Sequence, residues 1–364
     1  MRREGMKRGR GDRRDERPSK RHSEQPPPLY ALEDDLERVF DIRRSTPCPA
    51  EPFDAGLAEF GLVESEFDAA LMVADGRWVA PETVLALWTQ KSRMDPLFSK
   101  ENRALGAYQL SRNTLFAGDV SGSKVFRNRA GDKLFEVLQH SGIATALEQP
   151  RRLLLFADVC GGPGAFSEVV FKLSEGRAEH TIGIGTTLAH AKGGTADWYP
   201  ALMRDIRFVP VYGPDGTGDM YNPATVTALE HEVRGRDERG AYAVLADGGF
   251  NVTSDDLSIE NIQELYTARL LLAELLAAIS TLRAGGHFIC KMFDTFSDFM
   301  ASFLYVCALL FDRVKVVKPA RSRTVNSERY LAASGFRDVG LRGGARYWLV
   351  EHGRALHTAC YTHP

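Results

Sequence analysis

The chain has 364 residues, of which 44% are hydrophobic and 26% are charged, so it is long enough for one large domain with an extension or for two smaller domains. Its five cysteines lack the Cys-x-x-Cys spacing of a zinc site and its histidines do not cluster, so no metal is predicted. No stretch approaches the ~20 apolar residues of a membrane span, and no signal peptide precedes the start. We therefore expect a soluble protein of a reducing compartment.

The first 22 residues form a basic segment with ten lysines or arginines against four acids. The segment has no apolar periodicity, which is typical of a disordered tail. It predicts a nuclear-import signal, an RNA-binding arm or both, and hence a nuclear protein; a merely solvated tail is the alternative. With the start of the proline-rich hinge that follows, this tail covers residues 1–28.

A mainly helical N-terminal extension is predicted over residues 29–118, because short apolar-periodic pieces occur at 57–67 and 82–88. Its segment 90–112 interleaves basic residues with a phenylalanine and a tyrosine. Such a mixture suits contacts with phosphates and a stacked base. A solvated helix face is the alternative.

Strands and helices alternate in the remainder of the chain. A helix is predicted at 125–137, and the strands are predicted at 153–158, 181–186, 206–212, 242–246, 287–293 and 313–318. Later helices are predicted at 223–234, 259–282 and 296–310, with Gly285 and Gly286 ending the second of them. Segments 330–334 and 346–351 are expected to form a final hairpin. This alternation predicts an α/β fold in which a parallel sheet carries helices on both faces.

The segment 153–167, LLLFADVCGGPGAFS, has the order of a buried strand, a glycine turn and a helix start. Glycines allow the backbone to approach a bulky ligand, most often a nucleotide-like cofactor, and an ordinary strand–turn–helix is the alternative. Ligands of open sheets lie at the carboxyl ends of strands, where Asp158, Asp247 and Lys291 stand. A lysine in an apolar strand usually needs a partner or a function, unless it snorkels to a sheet edge.

Several motifs occur in a fixed order: RAxxKL (129–134), DVCGGPGAFSE (158–168), PDGTGDM (214–220), ADGGF (246–250), GGHFICKMF (285–293) and KPARSRTVNSERY (318–330). Together they resemble the RrmJ/FtsJ-type ribose 2′-O-methyltransferases, and most closely the eukaryotic cap-specific mRNA (nucleoside-2′-O-)-methyltransferases of the cap 1 type. The resemblance covers roughly residues 90–335. It implies a Rossmann-like, S-adenosylmethionine-dependent methyltransferase domain over residues 119–351, followed by a C-terminal tail at 352–364.

The resemblance implies a catalytic tetrad of Lys133, Asp247, Lys291 and Glu328, and all four residues are present. A ribose 2′-hydroxyl must lose its proton as it attacks a sulfonium methyl group, and Lys291 is the expected general base. A second ammonium group and partial burial would lower the pKa of Lys291, whereas carboxylates would oppose that change. Asp247 and Glu328 are expected to hold the lysines and the hydroxyl, and Lys133 to stabilise the developing alkoxide.

The resemblance also implies which residues bind the S-adenosylmethionine cofactor: Cys160, Gly161, Gly162, Pro163, Gly164, Asp219 and Asp247. The loop is expected to wrap the methionine and ribose portion. Asp219 is expected at the adenine; the alternative is that it caps the helix beginning near Pro223. Asp158 is expected to orient the loop from behind.

For the RNA, the resemblance implies Asn261 near the cap and, more loosely, Arg103. The basic residues Arg321 and Arg323 are candidate phosphate contacts, with ordinary surface arginines as the alternative. The expected partner is therefore the m7GpppN end of capped mRNA, and the sequence leaves open whether capping or transcription machinery also binds.

The expected activity is methyl transfer to the ribose 2′-hydroxyl of the first transcribed nucleotide of m7G-capped mRNA. Methylation of ribosomal RNA, transfer RNA or later cap nucleotides is the alternative. The complete tetrad argues against a non-catalytic RNA-binding scaffold. A nicotinamide dehydrogenase is disfavoured because no ribose-binding acid stands about 20 residues beyond the glycine loop.

Overall fold

A mixed sheet with helices packed on it forms the part of the chain that carries the candidate residues. A computed structural model describes residues 39–42, 79–93, 125–189, 197–249, 263–322 and 326–337, all within one unit, residues 38–364. In chain order the described elements are β1 (Val39–Ile42), α1 (Pro81–Ser92), α2 (Arg129–Ser141), α3 (Ile143–Leu147), β2 (Arg151–Val159), α4 (Ala165–Ser174), β3 (Ala178–Thr186), α5 (Pro200–Met203), β4 (Phe208–Pro210), α6 (Pro223–Arg236), β5 (Ala241–Ala246), α7 (Gln263–Thr281), β6 (Leu282–Met292), α8 (Asp298–Leu310), β7 (Phe311–Val317) and β8 (Arg329–Phe336).

The strands form one sheet in the order β1-β7-β8-β6-β5-β2-β3-β4. The five adjacent strands β6, β5, β2, β3 and β4 are parallel, as the alternation of strands and helices predicted. At the other side β8 runs antiparallel to both β6 and β7, and β1 runs antiparallel to β7. The sheet is therefore mixed rather than wholly parallel, because the chain returns from β7 through residues 318–328 and inserts β8 beside β6.

Both faces of the sheet carry helices, which confirms the predicted α/β architecture. Alternate residues of β2 enter two different cores: Leu155 and Ala157 pack with α6, α7 and α8, whereas Leu154 and Phe156 pack with α2, α3 and α4. All four of these side chains are at most 2% exposed. This period of two belongs to a strand covered on both faces, and it explains why β2 is an almost continuous apolar run.

Two local predictions need correction. Gly285 and Gly286 do not end a helix; they lie at the start of β6, where the pairing with β5 jumps from Ala241↔Leu282 to Ala243↔His287 and the strand bulges. β8 pairs with β6 and β7 instead of forming a hairpin with 346–351, which is not among the described residues.

The predicted extension has two described pieces. One is helix α1, and the other is strand β1, which adds to the sheet beside β7 although helices were predicted around it. The tail, the segment 57–67 and residues 352–364 lie outside the described residues. Among the helices that the structure describes, none is long and apolar enough to cross a membrane.

Candidate active site

The register of the sheet brings the glycine loop and two of the tetrad residues to one edge. Val159 of β2 pairs with Ala246 of β5, and Ala246 pairs with Cys290 of β6. The next residue of each strand, Cys160, Asp247 and Lys291, therefore stands beside the others at the carboxyl ends of the strands. The backbone N–H of Asp247 also donates to the Val159 carbonyl at 3.2 Å, which ties the β5 turn to the start of the loop.

Lys291 and Asp247 form the first pair of the candidate site. The Nζ atom of Lys291 donates to the backbone oxygen of Asp247 at 2.9 Å and lies 3.3 Å from its Oδ1 atom. The phenol of Tyr330, which stands opposite Lys291 in the β6–β8 register, donates to the same Oδ1 at 3.2 Å. Tyr330 is fully buried, so its hydroxyl holds the Asp247 carboxylate from within the core.

Lys133 and Glu328 form the second pair. The Nζ atom of Lys133, on α2, lies 2.6 Å from Oε1 of Glu328, just before β8, and both side chains are mostly buried. Ser322 donates its hydroxyl to the same oxygen at 2.7 Å. Burial alone would raise the pKa of Glu328, but Lys133, Lys291 and the hydrogen bonds outweigh it and lower the pKa. Glu328 is therefore a carboxylate at neutral pH, held between two lysines.

The net effect on the pKa of Lys291 is upward. Burial is the strongest influence and lowers that pKa, but the carboxylates of Asp247, Glu328 and Glu274 together raise it above the usual value. The sequence left open which influence wins, and the structure shows that the carboxylates do. Lys291 is an ammonium group in the free protein, so it must give up a proton before it can accept one.

The segment between β7 and β8 is held in place by a partly buried lysine and by α2. Lys318 donates to the backbone oxygens of Asn326 at 2.6 Å and Glu328 at 2.8 Å, and burial lowers its pKa to about 8. Glu136, one turn beyond Lys133 on α2, accepts the backbone N–H of Ala320 at 2.5 Å. These hydrogen bonds hold both ends of the segment and thereby keep Glu328 beside Lys133.

The glycine loop after β2 is shaped by the buried carboxyl group of Asp158. Its Oδ2 atom accepts the Ser167 hydroxyl at 2.6 Å and the Ser167 backbone N–H at 3.0 Å, which joins β2 to α4 behind the loop. A Cβ atom on Gly161 would lie 2.1 Å from Asp158 Oδ1, so only glycine fits there. Cys160, with φ of 54°, turns the chain into the loop.

A second wall faces the loop from the segments after β3 and β4. The hydroxyl of Thr187 accepts the Gly162 N–H at 3.3 Å. A Cβ atom on Gly218 would lie 1.9 Å from the backbone oxygen of Thr187. Asp219 follows Gly218, and its Oδ1 atom accepts the N–H of Tyr221 at 2.8 Å. The alternative role for Asp219 is not observed: Asn222 caps α6, accepting the Ala224 N–H at 3.0 Å.

The cofactor cradle expected from the sequence lies between this loop and the second wall. At Gly161 and Gly218 the space of a side chain is filled by Asp158 Oδ1 and by the Thr187 backbone oxygen, so glycine lets the chain pack closely at both positions. Among the described residues, Oδ1 of the buried Asp158 has no hydrogen-bond partner, so a polar acceptor stands behind the loop. Within the part of the chain that the structure describes, no group of three or more His, Cys, Asp or Glu residues could hold a metal ion.

The predicted RNA contacts are described only in part. Arg321 is an exposed residue in the anchored segment, and its backbone N–H donates to Glu136 at 3.3 Å, so it stands near the tetrad pair of Lys133 and Glu328. Arg103, Asn261 and Arg323 lie outside the described residues. Their predicted roles stay predictions.

Several residues of the site escaped the sequence analysis. Tyr330, Ser322 and Glu136 hold Asp247, Glu328 and the loop before it. Tyr330 and Ser322 lie inside the motif KPARSRTVNSERY and Glu136 lies two residues after RAxxKL, but their residue types did not predict these contacts. Glu274 is different, because it is a lone acid in an apolar helix segment, RLLLAELLAAIS, where a buried charge is costly. This pattern in the sequence indicates a buried acid with a specific role.

Comparison with known proteins agrees with this geometry. The pattern of the family described as FtsJ-like methyltransferase matches residues 126–336, which run from just before α2 to the end of β8. The match therefore includes all four tetrad positions and the glycine loop.

Curated relatives carry the name cap-specific mRNA (nucleoside-2′-O-)-methyltransferase 1. That of Trypanosoma cruzi is 44% identical over 69% of this chain and 67% of its own length. That of Trypanosoma brucei brucei is 38% identical over 73% of this chain and 68% of its own length. The mouse relative is 35% identical over 69% of this chain but only 30% of its own length, so the chain matches less than a third of that longer protein.

Proposed function

Since the chain belongs to the FtsJ-like methyltransferase family and is similar to cap-specific mRNA methyltransferases over about 70% of its length, we propose that it methylates the ribose 2′-hydroxyl of the first transcribed nucleotide of m7G-capped mRNA. The methyl donor in this proposal is S-adenosylmethionine. The observation that carries it is the cluster of two lysine–carboxylate pairs beside a glycine-lined cradle at one edge of the sheet.

The chemistry needs a base at the ribose oxygen. S-adenosylmethionine supplies a methyl group on a positively charged sulfur, and the electron pair of the broken S–C bond stays with that sulfur. Lys291, once it has released its own proton to solvent, takes the hydroxyl proton onto Nζ while the ribose oxygen forms its bond to the methyl carbon. The cradle, formed by the loop from Cys160 to Gly164 with Asp219 and Asp247, holds the donor in this proposal.

The carboxylates position the two lysines rather than react. Asp247 holds Lys291 through its backbone oxygen and its carboxylate, and Tyr330 keeps that carboxylate in place. Glu328 holds Lys133, whose positive charge lies where it can stabilise the oxygen as its proton leaves. Much of the rate enhancement then comes from alignment of the oxygen with the methyl group.

Labelled S-adenosylmethionine supplied to RNAs ending in m7GpppN, GpppN or a 5′-phosphate tests the proposal. We expect the strongest labelling of the m7GpppN RNA, since the relatives are named for cap-specific activity. Equal labelling of all three RNAs would contradict cap specificity and favour a ribosomal or transfer RNA substrate. No labelling of any RNA would favour a scaffold. The nuclear location and the RNA-binding tail remain predictions, since residues 1–22 lie outside the described residues.

A further inference from the structure

Glu274 is a buried acid that the tetrad does not include. It lies in α7, in the run Leu270–Ala278 that packs against the sheet, and only 1% of it is exposed. Burying a carboxyl group destabilises the fold unless its oxygens find hydrogen-bond donors. A carboxyl group in this apolar face therefore needs hydrogen-bond donors around it.

The carboxyl group of Glu274 joins two of the strand ends that build the active site. Its Oε1 atom accepts the backbone N–H of Gly248, the residue after Asp247, at 3.0 Å. Its Oε2 atom accepts the thiol of Cys290, the residue before Lys291, at 3.2 Å. A Cβ atom on Gly248 would lie 2.2 Å from Oε1, so the turn that carries Asp247 sits directly against this carboxyl group.

The start of the cofactor loop also lies near Glu274. Burial, followed by the negative charge of Glu274, raises the pKa of the Cys160 thiol. One side chain from α7 thus bonds to the turn that carries Asp247 and to the end of β6 that carries Lys291, and it lies near the start of the loop after β2.

Glu274 also adds charge to the site. Burial raises the pKa of Glu274 to about 7, so it is partly ionised at neutral pH, and its negative charge contributes to the raised pKa of Lys291. The titratable groups that face it from the surrounding elements are Lys291, Cys290, Asp247, Cys160 and Tyr221. Of these, Lys291 is the cation.

We propose that Glu274 is a positioning residue for methyl transfer, whose carboxyl group fixes the Asp247 turn against the Lys291 strand. The inference rests on the proposed function. It adds to the tetrad a carboxyl group that does not touch the reacting atoms and acts on them through Gly248, Cys290 and Lys291.

Glu274→Gln removes the charge and keeps one of the two hydrogen bonds. The amide oxygen can accept the Gly248 N–H, whereas the amide NH2 group cannot accept the Cys290 thiol. Without the negative charge, Lys291 loses its proton at lower pH. We expect the acidic limb of the kcat–pH profile to move down by about 0.5 to 1 pH unit, with the plateau within about threefold of the wild type. Glu274→Asp keeps the charge but shortens the side chain by one methylene group. The acidic limb of its kcat–pH profile should therefore stay near that of the wild type, while kcat falls about tenfold.

Glu264→Gln is the matched control. Glu264 is another buried acid on α7, but its oxygens accept the backbone N–H groups of Phe296 at 2.9 Å and Ser297 at 2.7 Å, at the start of α8. Its substitution is expected to leave the midpoint of the acidic limb in place. A shift as large as that of Glu274→Gln would show a general effect of losing a buried acid and would overturn the proposal.

Thermal melts of the chain without donor or RNA give a second measurement. A carboxyl group whose pKa is higher in the folded than in the unfolded chain makes stability fall as pH rises between the two values. Glu274→Gln removes this contribution, so its melting temperature relative to the wild type should rise by roughly 2–4 °C from about pH 5 to about pH 8.

The outcomes are distinct. If wild-type protein methylates no RNA, the proposed function fails, while the melts still decide whether Glu274 titrates as described. If the wild type is active, and both Glu274→Gln and Glu274→Asp keep its kcat and its pH profile, the positioning role is wrong. A variant that does not fold shows in the melts, and the other variant then decides.

Discussion

Lys291 is held to Asp247 twice, by a 2.9 Å hydrogen bond to the backbone oxygen and by a 3.3 Å contact with Oδ1. The backbone bond matters because a neutral amine can still donate to a carbonyl oxygen. Lys291 can therefore stay in place after it loses its proton, with its lone pair left for the ribose hydroxyl. The ion pair raises the pKa of the lysine, and the backbone bond keeps the lysine aligned.

Replacing Lys291 with alanine should remove methyl transfer and leave donor binding nearly intact. General-base catalysis accounts for about 10²- to 10⁴-fold in rate, so activity should fall by at least that range. The measurement is single-turnover methyl transfer, with donor affinity from equilibrium dialysis. Lys172→Ala, at a lysine on α4 that is 44% exposed, is the control and should retain activity within about twofold. Methylation retained by K291A would remove Lys291 from the role of base.

Tyr330→Phe tests the support of Asp247. The change removes only the hydroxyl that donates to Oδ1 at 3.2 Å and leaves the buried ring. A hydrogen bond to a charged group contributes about 1.5 to 3 kcal/mol, so we expect kcat to fall by about tenfold or more with KM little changed. Steady-state kinetics measure this, with Tyr305→Phe, at a half-exposed tyrosine of α8, as the control. Unchanged kcat in Y330F would show that Asp247 needs no such support.

A methyl group added at Gly161 should damage the cofactor cradle. The new Cβ atom would lie 2.1 Å from Asp158 Oδ1, so the loop must move and donor affinity should fall by about tenfold or more. Gly235→Ala is a matched control, because a Cβ atom there meets nothing within 4 Å and alanine is the better helix former in α6 by about 0.5 to 1 kcal/mol. Isothermal titration with S-adenosylmethionine compares the two. Equal affinity in both variants would place the donor elsewhere.

Asp158 should make the fold less stable as pH rises from about 4 to about 7. Burial raises its pKa from 3.8 to about 7, so the folded chain binds this proton more tightly than the unfolded chain between those values. Stability contributed by the protonated group is therefore lost as pH rises through that window. Asp158→Asn cannot ionise, so its stability relative to the wild type should increase by at least about 1 kcal/mol from about pH 5 to about pH 8.

Urea unfolding at the two pH values measures the effect of Asp158→Asn. Ser167→Ala is the companion variant, since it removes the 2.6 Å hydroxyl hydrogen bond but leaves the carboxyl group free to titrate. It should lower stability at both pH values. A difference between D158N and the wild type that does not change with pH would mean that Asp158 has an ordinary pKa.

The sequence predicted those parts of the site that depend on local patterns. The apolar run into DVCGGPG identified β2 and its loop, and the ordered motifs identified Lys133, Asp247, Lys291 and Glu328 as a group. The structure brings these four into two pairs at one edge. K291A tests the catalytic role of Lys291, and the roles of the other three residues stay predictions.

What the sequence did not predict depends on pairing between distant segments. The insertion of β8 beside β6 places Tyr330 opposite Lys291, and no local periodicity reports which strand becomes the neighbour. The bulge at Arg283–Gly286 likewise follows from the register between β5 and β6. The net pKa of Lys291 depends on carboxylates from three separate elements, so it could be read only from the assembled site.

The position of the transferred methyl group tests the central claim most directly. Two m7G-capped RNAs are compared, identical except that the first transcribed nucleotide carries a ribose 2′-hydroxyl in one and 2′-deoxyribose in the other. With labelled S-adenosylmethionine, the account predicts label at the first nucleotide of the hydroxyl-bearing RNA and none on its deoxy counterpart. Equal label on both RNAs would contradict methylation of that 2′-hydroxyl.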